Sequence, residues 1–166
     1  LEIVEQSRAM GERIIQVIGP VGGGGLMGGV SVAIRAHAPW ARIWGVEPEG
    51  FDDTRLSLEA GERRGAPPSP RSICDALESP MPGRLTFPLL KANLAGAVAV
   101  DDAEVAEAMR FAFQELKLVV EPGGAVALAA LLSRKITPAG PGATVIILSG
   151  GNVDAAMFSR VLASTD

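Results

Sequence analysis

Pro20-Val21-Gly22-Gly23-Gly24-Gly25-Leu26-Met27-Gly28-Gly29 decides how this chain reads. The apolar run Ile14 to Ile18 precedes it as a strand, and Gly25 to Ala38 follows as a helix that Pro39 closes. Four consecutive glycines at a strand-to-helix junction permit positive φ and leave the backbone N–H groups free of side-chain obstruction. With the positive end of a helix dipole behind it, such a loop holds an anion without lysine or arginine, and neither occurs between Ile14 and Ile34. A competing use of the same glycines is close packing of the helix on a sheet.

Working outward, Arg42 to Glu47 reads as a second strand, completing a βαβ unit and so a parallel sheet with a right-handed crossover. Leu1 to Met10 carries a helical stripe without a preceding cap, Thr54 to Ala60 a short helix, and Gly61 to Ser72 a surface loop. Cys74 to Gly83 is broken by Pro80, Pro82 and Gly83 and reads as irregular, before a helix from Thr86 to Leu94 and a strand from Gly96 to Val100. Asp101 and Asp102 can cap a helix spanning Ala103 to Leu118. Glu121-Pro122-Gly123-Gly124 opens another helix over Ala125 to Ser133. Thr144 to Leu148 is apolar enough for a central parallel strand, ends on Ser149-Gly150-Gly151-Asn152, and precedes a last helix, Asp154 to Leu162, and a polar tail. The sum is one three-layer α/β domain over residues 1–166 with a mostly parallel sheet.

Composition narrows the function. A net charge of -4 and a pI near 5.1 argue against a nucleic-acid partner, and no apolar stretch is long enough to span a membrane. One cysteine, Cys74, allows no internal disulfide and suits a cytoplasmic setting. The one histidine, His37, sits where the second helix stops, which leaves Ser-His-Asp catalysis and His/Cys zinc sites without support.

Two ligands fit the glycine loop. Gly23, Gly25 and Gly28 satisfy G-x-G-x-x-G, with Glu47 at the end of the second strand, as a dinucleotide-binding or purely structural domain would show. Adjacent rather than spaced glycines, the strand ending in Ser149-Gly150-Gly151-Asn152 and the helix opened by Glu121-Pro122 fit another phosphate-bearing cofactor better. Ligands in open α/β sheets lie at the carboxyl ends of the strands, so one crevice can hold a phosphate at Gly22 to Gly25 and a ring at Ser149.

Through Val21-Gly22-Gly23-Gly24-Gly25-Leu26, Glu47-Pro48, Glu121-Pro122 and Leu148-Ser149-Gly150-Gly151-Asn152, the chain resembles the fold type II pyridoxal-phosphate enzymes, in particular the serine/threonine dehydratase and serine racemase group. The resemblance implies that Gly22, Gly23, Gly24, Gly25 and the Leu26 amide bind the phosphate of pyridoxal phosphate, and that Ser149 faces the pyridine nitrogen; serine is also a common helix N-cap. It implies Mg²⁺ or Ca²⁺ on Glu47, Asp53 and the Phe51 carbonyl, against the alternative of a solvated acidic turn in which Asp52 or Asp53 caps the next helix. Asp75 and Ser79 resemble a segment on the substrate side, where Ala76 replaces the usual glycine, and Glu121 an acid near the cofactor ring that could equally be a helix-start acid.

None of Lys91, Lys117 and Lys135 matches the family's Schiff-base lysine motif, which lies in an upstream domain. The resemblance therefore implies the carboxyl-terminal part of a lyase that removes water from a small 3-hydroxy amino acid to give a 2-oxo acid and ammonia, inactive alone, homo-oligomeric, and dependent on the missing amino-terminal domain. Serine racemase and 3-hydroxyaspartate dehydratase activity are alternatives with the same residues.

Overall fold

In the computed structural model, which describes residues 1–68 and 71–164, a four-stranded parallel sheet runs in the order β3-β2-β1-β4. The strands are β1 Ile14–Pro20, β2 Arg42–Pro48, β3 Gly96–Val100 and β4 Ala143–Ile146. The helices are α1 Glu2–Ala9, α2 Gly25–His37, α3 Asp53–Ala60, α4 Thr86–Asn93, α5 Asp102–Gln114, α6 Pro122–Leu132 and α7 Ala155–Ala163. Thr165 and Asp166 of the tail, and Ser69 and Pro70 of the surface loop, lie outside the described residues.

The pleat of β1 and β2 sorts their side chains into two cores. Val17 and Ile43 pack with Val4 of α1, Met27 and Ile34 of α2 and Leu90 of α4. Ile18 and Val46 face the other way, onto Val105 and Met109 of α5, Val126 of α6 and Val161 of α7. Period-2 alternation in a sheet covered on both faces produces this three-layer arrangement. α6 is buried along Pro122 to Ala130, which its uniformly apolar sequence requires, because it is sandwiched between the sheet and α5.

Four expectations need correction. Thr144 to Leu148 is not central: β4 is an edge strand of this sheet and half-buried, and β1 and β2 occupy the middle. The α5 helix stops at Gln114 rather than Leu118, because Lys117 takes φ 61° and the Leu118 amide turns back to the Ala112 carbonyl at 2.9 Å. α6 starts at Pro122, with proline in the first turn where its missing N–H is harmless. Asp101 alone caps α5, in a reciprocal pair with Glu104, and frees Asp102 for a different task.

Candidate functional site

β1 and β4 are neighbours, with the Ile147 amide donating to the Ile18 carbonyl at 2.9 Å, so the glycine loop and Ser149 leave adjacent strands at the same carboxyl edge. Gly22 to Gly25 turn the chain from β1 into α2, with Gly24 at φ 88° as the cap. Among the described residues the amides of Gly22, Gly23, Gly24, Gly25 and Leu26 donate no hydrogen bond, whereas the Val21 amide still joins the sheet through the Val46 carbonyl at 2.8 Å. Five consecutive free donors at a helix start form a cradle for an anion. Nothing lies within 4 Å of the position a Cβ would take on Gly25, so the cradle is open there. A Cβ on Gly24 would instead meet Thr86 Oγ1 and Leu90 Cδ1 at 2.8 Å.

Ser149 is exposed and caps no helix: the Asp154 carboxylate caps α7 by accepting from the Met157 amide at 2.8 Å. The loop that carries Ser149 is gripped by Glu121. Its amide donates to the Gly150 carbonyl at 3.0 Å, and its Oε2 accepts from the Asn152 amide at 3.1 Å. Glu121 therefore holds the Ser149 loop in place, and it also lines a cleft of about 160 Å³ with Asp75, Asn152 and Asp154.

Asp75 begins a single 3₁₀ turn, Asp75–Leu77, that packs beside the cradle: a Cβ on Gly22 would sit 3.5 Å from the Ala76 carbonyl. Ser79 lies close by, 3.9 Å from where a Cβ on Gly23 would be, and donates to the Met81 carbonyl at 3.0 Å. Two acids that the sequence does not mark as site residues fix this segment. Asp102 accepts from Ser72 Oγ at 2.6 Å and from the Ile73 amide at 3.1 Å, and Glu78 accepts from the Ser72 amide at 2.9 Å while pairing with Arg71 at 2.6 Å. The pairing of Asp102 with Ser72 spans 30 residues, so no local pattern exposes it.

Glu47 at the carboxyl end of β2 and Asp53 at the start of α3 are near enough to repel each other, and between them the Phe51 amide donates to the Pro48 carbonyl at 3.0 Å. Glu47 is fully buried, with Oε1 accepting from the Thr54 amide at 2.8 Å and Oε2 from the Arg55 amide at 2.9 Å. It thus closes the start of α3 that Asp52 and Asp53 were candidates to cap; Asp52 pairs instead with Arg55, whose Nε donates at 2.8 Å. Glu47 is fully buried and so cannot reach a ribose, which removes the acid that the dinucleotide reading requires. Burial pushes the Glu47 carboxyl up to about 8 and the Asp53 carboxyl up to about 7. Both Asp53 oxygens are buried without a hydrogen-bond partner among the described residues. Among the described residues no cluster of three or more acidic, His or Cys side chains gathers as a metal cage.

The three lysines are occupied elsewhere. Lys91 Nζ donates to the Gly61 carbonyl at 2.6 Å, Lys117 Nζ to the Gln114 carbonyl at 2.5 Å, and Lys135 pairs with Glu104 at 2.7 Å. A cavity of about 460 Å³ between α5 and α6, lined by Glu107, Phe111 and Leu132 among others, contains none of the candidate residues. No helix among the described residues is long and apolar enough to cross a membrane.

Known proteins resemble this chain in sequence and fold. The family model described as pyridoxal-phosphate dependent enzyme matches residues 1–150. A serine racemase of Dictyostelium discoideum is 37% identical over 164 residues, covering 98% of this chain and 49% of that protein. A phenylserine dehydratase of Ralstonia pickettii is 40% identical over 163 residues, covering 97% and 48% respectively. The crystal structure of a threonine deaminase from T.th. superposes with a TM-score of 0.85 at 39% identity, over 92% of this chain and 51% of that one. The chain spans about half the length of the curated relatives it matches.

Proposed function

Because this chain belongs to the family of pyridoxal-phosphate dependent enzymes, we propose that it is the cofactor-holding, carboxyl-terminal part of a serine/threonine dehydratase, acting on a small 3-hydroxy amino acid. The observation that carries the proposal is the run of free amides from Gly22 to Leu26 at the carboxyl end of β1, beside the Ser149 loop of β4. Such a cradle fits a phosphate dianion. On this reading Ser149, whose hydroxyl is exposed and without a partner among the described residues, meets the pyridine nitrogen.

Bound there, pyridoxal phosphate supplies the electron sink for deprotonating the substrate α-carbon and expelling its β-hydroxyl. The chain's own residues hold and orient. The cradle amides fix the phosphate end; Ser149 offers a neutral hydroxyl, which leaves the ring nitrogen less protonated than a carboxylate would. Glu121 keeps the Ser149 loop in register, and Asp75 and Ser79 border the substrate side. On this reading the amine that anchors the cofactor comes from an amino-terminal domain outside these 166 residues; in support, none of Lys91, Lys117 and Lys135 matches the family's lysine motif, and each is paired with another group. Serine racemase and 3-hydroxyaspartate ammonia-lyase activities use the same residues, and relatives of both names are similar to this chain.

Calorimetric titration of the purified chain with pyridoxal phosphate, followed by assay of 2-oxo acid and D-serine from L-serine, tests the proposal. Binding without turnover is the expected result. Absence of binding removes the cofactor reading, and turnover by the isolated chain removes the lysine assignment.

We further propose that Glu47, Asp53 and the Phe51 carbonyl hold Mg²⁺ or Ca²⁺, with water completing the shell. The unpaired buried oxygens of Asp53 support this, because hard cations take such ligands. The sign of the pH effect follows from the raised values. A carboxyl that titrates higher in the folded state than in the unfolded one stabilises the fold below its ordinary value and loses that contribution as pH rises through its folded value. The metal-free chain should therefore lose melting temperature between the ordinary values of 4.5 and 3.8 and the folded values of about 8 and about 7. Added Mg²⁺ or Ca²⁺ should restore it at the alkaline end of that window and do little at the acid end. A cation effect that does not depend on pH, or that survives Asp53→Asn, would remove the site.

A further inference from the structure

We infer that Thr86 is a positioning residue for the phosphate cradle, acting through the peptide plane between Gly23 and Gly24; the inference rests on the pyridoxal-phosphate reading of that cradle. Thr86 opens α4, 63 residues away in sequence, and its Oγ1 lies 2.6 Å from the Gly23 carbonyl oxygen. The hydroxyl has a single proton, and the other acceptor in reach, the Gly83 carbonyl, is at 3.3 Å, so the shorter bond to Gly23 takes it. The Gly83 amide reaches the same Gly23 oxygen at 3.2 Å.

A trans peptide points its C=O and its N–H in opposite directions. No cis peptide bond occurs among the described residues. Drawing the Gly23 carbonyl toward Thr86 therefore turns the Gly24 N–H to the opposite side, and that amide is one of the five without a partner. Apart from the longer bond from the Gly83 amide, the Thr86 hydroxyl is the restraint on a plane that its flanking glycines leave easy to rotate. The same contact shuts the back of the loop, since a Cβ on Gly24 would strike Thr86 Oγ1 and the fully buried Leu90. An anion site made only of backbone amides depends on their being aimed before the ligand arrives, and the Thr86 hydroxyl supplies that aim.

The test compares the purified wild-type chain with Thr86→Val, which keeps the shape and loses the hydroxyl, and Thr86→Ser, which keeps the hydroxyl. Pyridoxal-phosphate affinity is measured by titration, and the amide resonances of Gly22 to Leu26 are followed by NMR. Thr86→Val should bind roughly tenfold more weakly and Thr86→Ser within about twofold of wild type, the range set by one hydrogen bond. In Thr86→Val the Gly24 amide should lose its ligand-induced shift while those of its neighbours persist. Wild-type affinity in Thr86→Val, or equal weakening in both variants, would overturn the role of the hydroxyl. A wild-type chain whose cradle amides do not respond to pyridoxal phosphate would overturn the cofactor reading itself, and it does so before any variant is examined.

Discussion

Gly25→Asp is expected to remove most of the chain's affinity for pyridoxal phosphate while leaving the fold as stable as before or more so. Gly25 is the first residue of α2, and no atom lies within 4 Å of where its Cβ would stand, so the side chain enters without a clash. An acidic residue in the first turn favours the helix, by about 0.3–1 kcal/mol. The same carboxylate stands in the anion's place. At ~4 Å and an effective dielectric of ~20, each pair of like charges repels by about 4 kcal/mol. Screening at this exposed position removes about half of that, which still leaves a loss of roughly thirtyfold from charge alone. The opposed signs make the measurement clean: calorimetry should show weakened binding and a thermal melt no loss. Gly25→Asn is the uncharged control and should bind well above Gly25→Asp. Equal binding by wild type and Gly25→Asp would mean that the phosphate lies elsewhere. Gly24 is a poorer place for this experiment, because its positive φ and its contact with Thr86 and Leu90 would damage the fold as well.

Gly124→Ala is expected to destabilise the chain, although alanine is the better helix former. In α6 a Cβ at this position would come 2.7 Å from the Gly150 carbonyl oxygen and 2.9 Å from its nitrogen. Backbone cannot swing aside as a flexible side chain can, and Glu121 holds this stretch on both sides through the Gly150 carbonyl and the Asn152 amide. Overpacking of this kind typically costs about 1–3 kcal/mol, and the helix-propensity gain of about 1 kcal/mol offsets only part of it. Gly29→Ala in α2 is the matched control, since nothing lies within 4 Å of its Cβ position and only the propensity gain remains. Differential scanning calorimetry should place the two melting temperatures on opposite sides of wild type. Both variants share the propensity gain and differ by the overpacking cost, so at about 2–4 °C per kcal/mol the separation between them should be about 2–12 °C. A Gly124→Ala chain as stable as Gly29→Ala would show that the Ser149 loop is free to move away from α6.

The contrast between these glycines also marks where the sequence is informative. The βαβ unit, the glycine loop and the parallel sheet were readable because each rests on local periodicity and turn chemistry, as Ile14 to Ile18 and Arg42 to Glu47 illustrate. The position of β4 was not, since an apolar run such as Thr144 to Leu148 reports that its faces are covered and says nothing of how many strands flank it. The end of α5 was hidden for a different reason: Leu116 and Leu118 continue an apolar pattern through a turn made by Lys117, a residue that seldom takes positive φ. Around the candidate site, single residues were visible and their partners were not. Glu121 reads as an acid near the ring or as a helix-start acid, and nothing local reveals that its carboxylate also holds the Asn152 amide; Asp102 reads with Asp101 as a cap, and nothing local links it to Ser72. Glu47 shows the limit most clearly, because a buried acid that closes α3 and an exposed acid that binds a sugar have the same letter in the sequence.

The strand order carries a kinetic consequence. β1 finds one neighbour, β2, within a short stretch of chain, but the other comes from the far end: Thr144 Oγ1 reaches Gln16 Oε1 across 128 residues. Pairings of such separation are slow to form, since the closure entropy must be met before the contacts return anything. At typical synthesis rates, one edge of β1 stays bare for on the order of ten seconds after the strand leaves the ribosome. During that interval another unfinished chain can take the place reserved for β4. The yield of native molecules should therefore fall as the refolding concentration rises, even under conditions where the finished fold is stable.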